Sequence, residues 1–174
     1  MNIFFTDLSP HIAAISCGDS HVVKMPSEVT QMIVESLRQN DCPQHLLPLA
    51  KSTGEAHKGG YPHHPATKWT MMTRSNFNWV LEWGIHLCEE YTHRYGKTHY
   101  CEEGLRHIKD KSLNRYIKRG KLRKPPRCFK GHDDLIALHI SPCGIEANRE
   151  YYRRDKAGRV FWNKNRSEPK WWTV

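Results

Sequence analysis

The chain has 174 residues, 38% of them hydrophobic, with a mean hydropathy of -0.74 and a formal net charge of +9. That length supports one domain with a real core, and six Trp, seven Tyr and five Phe supply its bulk. No stretch nears the ~20 apolar residues of a membrane span; the opening residues lack the basic-then-apolar pattern of a secretion signal, so a cytoplasmic location with no membrane partner is expected.

The pattern predicts a single, mainly α domain over 1–174, with three or four principal helices and little strand. Residues 2–5 read as a short strand or an anchored extended arm. A short helix over 10–17 follows, with Ser9 as its N-cap, Pro10 in its first turn and Gly18 as its stop. The next helix starts at Asp19 or Ser20 and runs to about residue 39. Val22, Met25, Val29, Met32, Ile33 and Leu37 recur at helical spacing, and Pro26 either kinks this helix or marks its true first turn. Residues 41–68, rich in Pro, Gly and His, form a long loop, and loops of that length in small domains are functional or disordered. The clearest helix covers 75–95 and is capped by Gly96. Another is expected over 101–118, and a last one over 144–154. A basic segment fills 109–127, and an aromatic, basic tail fills 160–174.

Five constellations could carry chemistry. His21, Lys24, Glu28, Gln31 and Glu35 share one helical face. Together they offer a base, an amine nucleophile and an acid, although a solvent-facing Lys–Glu salt bridge has the same spacing. His63 and His64, flanked by Pro62 and Pro65 and followed by Trp69, are held in a stiff loop. Glu82, His86, Glu90 and His93 lie on one face of the 75–95 helix, where a metal could sit or a solvated face could look the same. Cys128, His132, His139 and Cys143 are paired at short spacings that a tetrahedral zinc could use, although Leu135-Ile136-Ala137-Leu138 between the pairs reads as core. No cofactor is favoured, and zinc is the one that the spacing admits. The six cysteines include no Cys-x-x-Cys pair, so reduced, buried thiols are expected.

The fifth constellation is the basic run. Lys109, Lys111, Arg115, Lys118, Arg119, Lys121, Arg123, Lys124 and Arg127 are opposed only by Asp110. Such a run neutralises phosphates, while Trp and Tyr stack on exposed bases. A solvated basic face would have the same composition. Nucleic acid, DNA first, is the expected partner.

Several runs resemble those of a group of small tailed-bacteriophage proteins. They are Ala13-Ala14, Cys17-x-Asp19-x-His21-Val22-Val23-Lys24-Met25, Glu28, Gln31-Met32, His64-Pro65, Trp69, Ser75-Asn76-Phe77-x-Trp79, Glu90-Tyr91-Thr92-x-Arg94-Tyr95-Gly96-Lys97-x-His99 and Pro169-x-Trp171-Trp172. The layout is more distantly similar to the phage pyrimidine-dimer DNA glycosylases, small basic helical proteins with an N-terminal amine nucleophile and a catalytic Glu on an early helix. The resemblance implies that Glu28 matches that Glu and His21 a DNA-contacting residue. Those glycosylases expose a small second residue. Asn2 is large enough here for Met1 to be retained, which makes Lys24 the better candidate amine.

The resulting expectation is a DNA-acting enzyme nearest to a glycosylase or lyase on damaged or modified bases. Lys24 would attack the sugar, Glu28 would stabilise the developing cation, and His21 and His64 would orient base or phosphate. Arg94, Lys97, His99 and the run from Arg115 to Lys124 would hold the backbone, and Trp69 or Trp79 would stack on an extruded base. These residues are expected to converge on one pocket. A base-modifying transferase of phage DNA hypermodification is the alternative enzyme. A non-catalytic binder of nucleic acid or of a host protein is the alternative outside catalysis.

Overall fold

A computed structural model describes residues 2–139 and 144–172. Among them seven α-helices form in chain order: α1 Pro10–Ile15, α2 Asp19–Arg38, α3 Pro65–Met72, α4 Arg74–Tyr95, α5 Glu102–Asp110, α6 Leu135–His139 and α7 Ile145–Lys156. Short 3-10 turns cover Gln44–Leu46 and Leu113–Tyr116. The only β pairing among the described residues is an isolated antiparallel bridge between Leu49 and Ala56. The protein is mainly helical, as its periodicity predicts, and no described helix is long and apolar enough to cross a membrane.

The centre of the fold is the crossing of α2 and α4. It is close because Gly84 of α4 has no side chain: a Cβ there would lie 2.4 Å from Val29 Cγ1. Pro26 neither starts nor ends α2, which begins seven residues before it. Its missing N–H removes one helical bond, and the Thr30 hydroxyl donates to its carbonyl at 2.8 Å. Thr73 caps α4 by accepting the Asn76 N–H, and Gly96 ends it at φ 66°.

Residues 2–5 are an extended arm threaded through the core. Phe4 meets His21, Trp83 and Tyr152, while Phe5 meets Trp69 and Trp79. The tail closes over the other end. Val160, Trp162 and Trp172 are buried, and a Cβ on Gly18 would meet Val160 Cγ1 at 1.9 Å, so glycine is needed there for the tail to approach.

Three expectations about elements need correction. The loop expected to extend to residue 68 ends at His64, whose ring caps the unforeseen α3. The helix expected over 101–118 ends at Asp110, because Ser112 turns left-handed at φ 52°. Leu113 and Ile117 are still buried, but from a 3-10 turn and an extended segment. Leu135-Ile136-Ala137-Leu138, which reads as core, forms α6 with Leu135 buried and Ile136 and Leu138 exposed.

Candidate functional site

The polar stripe of α2 is divided among three environments. His21 faces α7: its Nδ1 lies 2.6 Å from the Tyr152 hydroxyl, which in turn accepts the Gly18 N–H. Burial first, then Lys156 and Lys24, push the His21 pKa down to about 4, so the ring is neutral at physiological pH. Glu35 is buried and accepts from Gln39. Between them stands Glu28, only 12% exposed, with Oε1 3.0 Å from Lys24 Nζ. Its Oε2 accepts the backbone N–H of Asn2 at 3.1 Å. Lys24 itself is 68% exposed.

His64 joins this group from the loop. Its Nδ1 accepts the Ala66 N–H at 3.1 Å, which leaves the ring proton on Nε2 in the neutral form. Its pKa is lowered by burial and by the amino-terminal charge, against the opposing pull of Glu28. Asn2 and His64 form one end of a cavity of about 540 Å³, whose other walls include Arg127, Lys130, His132 and Tyr151. Asp133 is its carboxylate.

The basic segment runs towards this cavity. From Lys118 onward its backbone is pinned across the α3–α4 junction by uncharged groups. The Ser75 hydroxyl donates to Gly120 O at 2.7 Å, Thr73 to Lys121 O at 3.1 Å, and the Trp69 indole to Lys124 O at 2.6 Å. Arg74 N–H donates to Lys118 O, and Asn76 Oδ1 accepts the Arg123 N–H. With the backbone facing inward, the side chains of Lys118, Arg119, Lys121, Arg123, Lys124 and Arg127 are exposed. Arg115 lies further back, over the Tyr116 ring.

Several predicted site residues stand elsewhere, and the single-pocket convergence expected for them is not observed. Trp69 and Trp79 are buried, with their indole N–H groups donated to the Lys124 and Leu8 carbonyls. Arg94 has no exposed side-chain surface, and it bonds Glu90 at 2.7 Å and Asp19 at 2.8 Å. His99 is buried with both ring nitrogens engaged, Nε2 to Val23 O and Nδ1 from the Cys101 N–H. Lys97 is exposed just beyond the end of α4.

Of the expected zinc set, Cys143 and the His139 side chain lie outside the described residues. Burial raises the Cys128 thiol to about 11, and His132 packs edge-on against Tyr151. On α4, Glu82 pairs with Lys109, His86 with Glu89, Glu90 with Arg94 and Arg166, and His93 with the Asn165 carbonyl. Among the described residues no cluster of three or more metal-ligating side chains forms. The described cysteines Cys17, Cys42, Cys88, Cys101 and Cys128 are free.

Sequence reasoning missed Asn2, Lys130, Tyr151 and Tyr152. Nothing in spacing pairs Asn2 with Glu28, because their contact depends on the arm crossing α2. Comparison of the chain with protein-family models, with curated protein sequences and with solved structures finds no match.

Proposed function

We propose that the protein acts on DNA as a glycosylase or lyase on a damaged or modified base. One observation supports this most. A shielded carboxylate, Glu28, accepts the Asn2 N–H, Asn2 and His64 form one end of a cavity, and a row of exposed cations leads to that cavity's rim. DNA phosphates would follow Lys118 to Arg127, and one nucleotide, extruded from the stack, would enter the cavity. Lys24 would pass a proton to Glu28, 3.0 Å away, and attack the sugar C1′. The base would leave with the bonding electron pair and take up a proton. His64 Nε2–H would donate to the base or its phosphate. The resemblance to tailed-phage proteins supports the same setting, with DNA met in the host cytoplasm.

The test is borohydride trapping with dimer-containing, abasic and modified-base duplexes. A covalent adduct is expected with the native protein and none with Lys24→Ala, while Glu28→Gln should slow its formation. DNA affinity should fall steeply with salt, by about 0.9 in log–log slope per phosphate contacted. Full activity in Lys24→Ala would end the amine mechanism. The exposure of Lys24 favours one second reading, a non-catalytic DNA binder using the same track. Unaltered binding by both variants with no adduct on any duplex would select it.

A further inference from the structure

A second cavity, of about 920 Å³, shares no wall with the first. It opens between the loop after α2 and the start of α5, and its walls include Leu47, Leu49, His57, Tyr100 and His107. The antiparallel bridge between Leu49 and Ala56 fixes the shape of the loop wall.

The chemistry of these walls is specific. Tyr100 is 58% exposed. One face of its ring stacks on His99 at 4.7 Å and 25°, and its hydroxyl is tied to Ser27, so the ring is a fixed platform. His57 Nδ1 accepts the Gly59 N–H at 3.0 Å. A nitrogen that accepts carries no proton, so the neutral ring presents Nε2–H as a donor. His107 is the reverse: its Nε2–H donates to Leu46 O at 2.9 Å, leaving Nδ1 as an acceptor. At the rim Lys51 and Glu103 approach to 3.8 Å and balance each other's charge.

An aromatic platform, an apolar floor, one imposed donor, one imposed acceptor and a neutral rim suit an uncharged planar heterocycle. The heterocycle must carry an acceptor and a donor on its edge, as the lactam of thymine, uracil or guanine and the amidine of adenine or cytosine do. We propose that this cavity binds a free nucleoside, holding the face and the donor–acceptor edge of its base. The site is independent of the proposed reaction, since it uses neither Glu28 nor the cation track.

Titration of the full chain with thymidine, guanosine and adenosine, followed by amide chemical shifts and calorimetry, tests the proposal. Saturable binding of thymidine or guanosine is expected, with shifts in the loop around His57 and at Tyr100. Adenosine, whose N6–H2 and ring nitrogen offer the same donor and acceptor, should also bind, whereas ribose, which has no base, should not. Tyr100→Ala should weaken thymidine binding by about fivefold to a hundredfold, the loss of one base–aromatic stack. Tyr100→Phe should retain binding, and Glu28→Gln should leave it unchanged. His57→Ala gives a second route to the same loss if Tyr100→Ala does not fold. No saturable shift with any of the three nucleosides, equal binding of ribose, or binding of oligothymidylate alone would each overturn the proposal.

Discussion

Replacing Arg94 with Met separates a structural role from a DNA-contacting one. Its guanidinium, fully out of solvent, bonds Glu90, Asp19 and the Ile15 carbonyl. Glu90 is buried too, and its other partner is Arg166 of the tail, at 2.7 Å. The substitution strands a buried carboxylate with half its compensation, and breaking a buried pair costs about 3–5 kcal/mol. At roughly 2–4 °C per kcal/mol for a domain of this size, Tm should fall by about 6–20 °C. DNA affinity, measured by anisotropy well below that Tm, should be unchanged. Burial raises the Glu90 pKa, but the Arg166 and Arg94 hydrogen bonds outweigh it and hold the carboxyl below its usual range. A depressed carboxyl stabilises the fold above its unfolded pKa, about 4.3, and loses that contribution as pH falls through the folded value. The Tm gap between native and variant should therefore narrow below about pH 4. An unchanged Tm together with lost DNA affinity would refute this reasoning and return Arg94 to the interface.

His21 should remain neutral through physiological pH and titrate near 4 by NMR. Because the unfolded chain takes the proton first, near 6.5, stability should decline as pH falls from there towards 4, and His21→Gln should lessen that decline; a native His21 titrating between pH 6 and 7 would contradict it. Gly59→Ala places a Cβ at φ 71° and 2.8 Å from Glu35 N, so it should cost about 2 kcal/mol or more. Gly54→Ala, at φ 69° with nothing nearby, should cost less, and equal melting temperatures for the two would sink the steric account. Asn76→Ala changes no charge, yet it removes the acceptor for Arg123 N–H and the donor to Trp69 O. It should cost about 1–3 kcal/mol and weaken DNA binding by loosening the cation track. Undiminished affinity would show that the track does not need that anchor.

The fold was legible where a local rule decided it. Ser9-Pro10 starts α1, Gly96 ends α4, and the apolar periods of α2 and α4 name the residues that meet at their crossing. It was illegible where a distant contact decided it. The 101–118 stretch has an adequate helical period, but the Arg74 side chain bonds the Arg115 and Ile117 carbonyls. Those bonds draw the chain out of helix after Asp110 and across the α3–α4 junction. No local signal marks that pull.

The candidate site was legible in its residue types and misread in their duties. Aromatic residues beside a basic run suggest base stacking, because both features belong to nucleic-acid surfaces. Here Trp69 serves the basic run from behind, its indole N–H holding the Lys124 carbonyl while Lys124 itself is exposed. Arg94 and His99 were misread for a related reason: a polar residue amid matched segments can be fixed by the core as well as by a substrate. Geometry separates the two cases by counting what each group has already bonded. His99 has both ring nitrogens committed, and Arg94 has each nitrogen bonded and no exposed side-chain surface, so neither is open to a ligand. His64 has one ring nitrogen committed and lines a cavity, and the shielded Glu28 is bonded to Asn2 of the cavity wall. These two carry the reading of function because His64 lines space a substrate could fill and the Glu28 carboxylate is tied to the wall of that space through the Asn2 N–H.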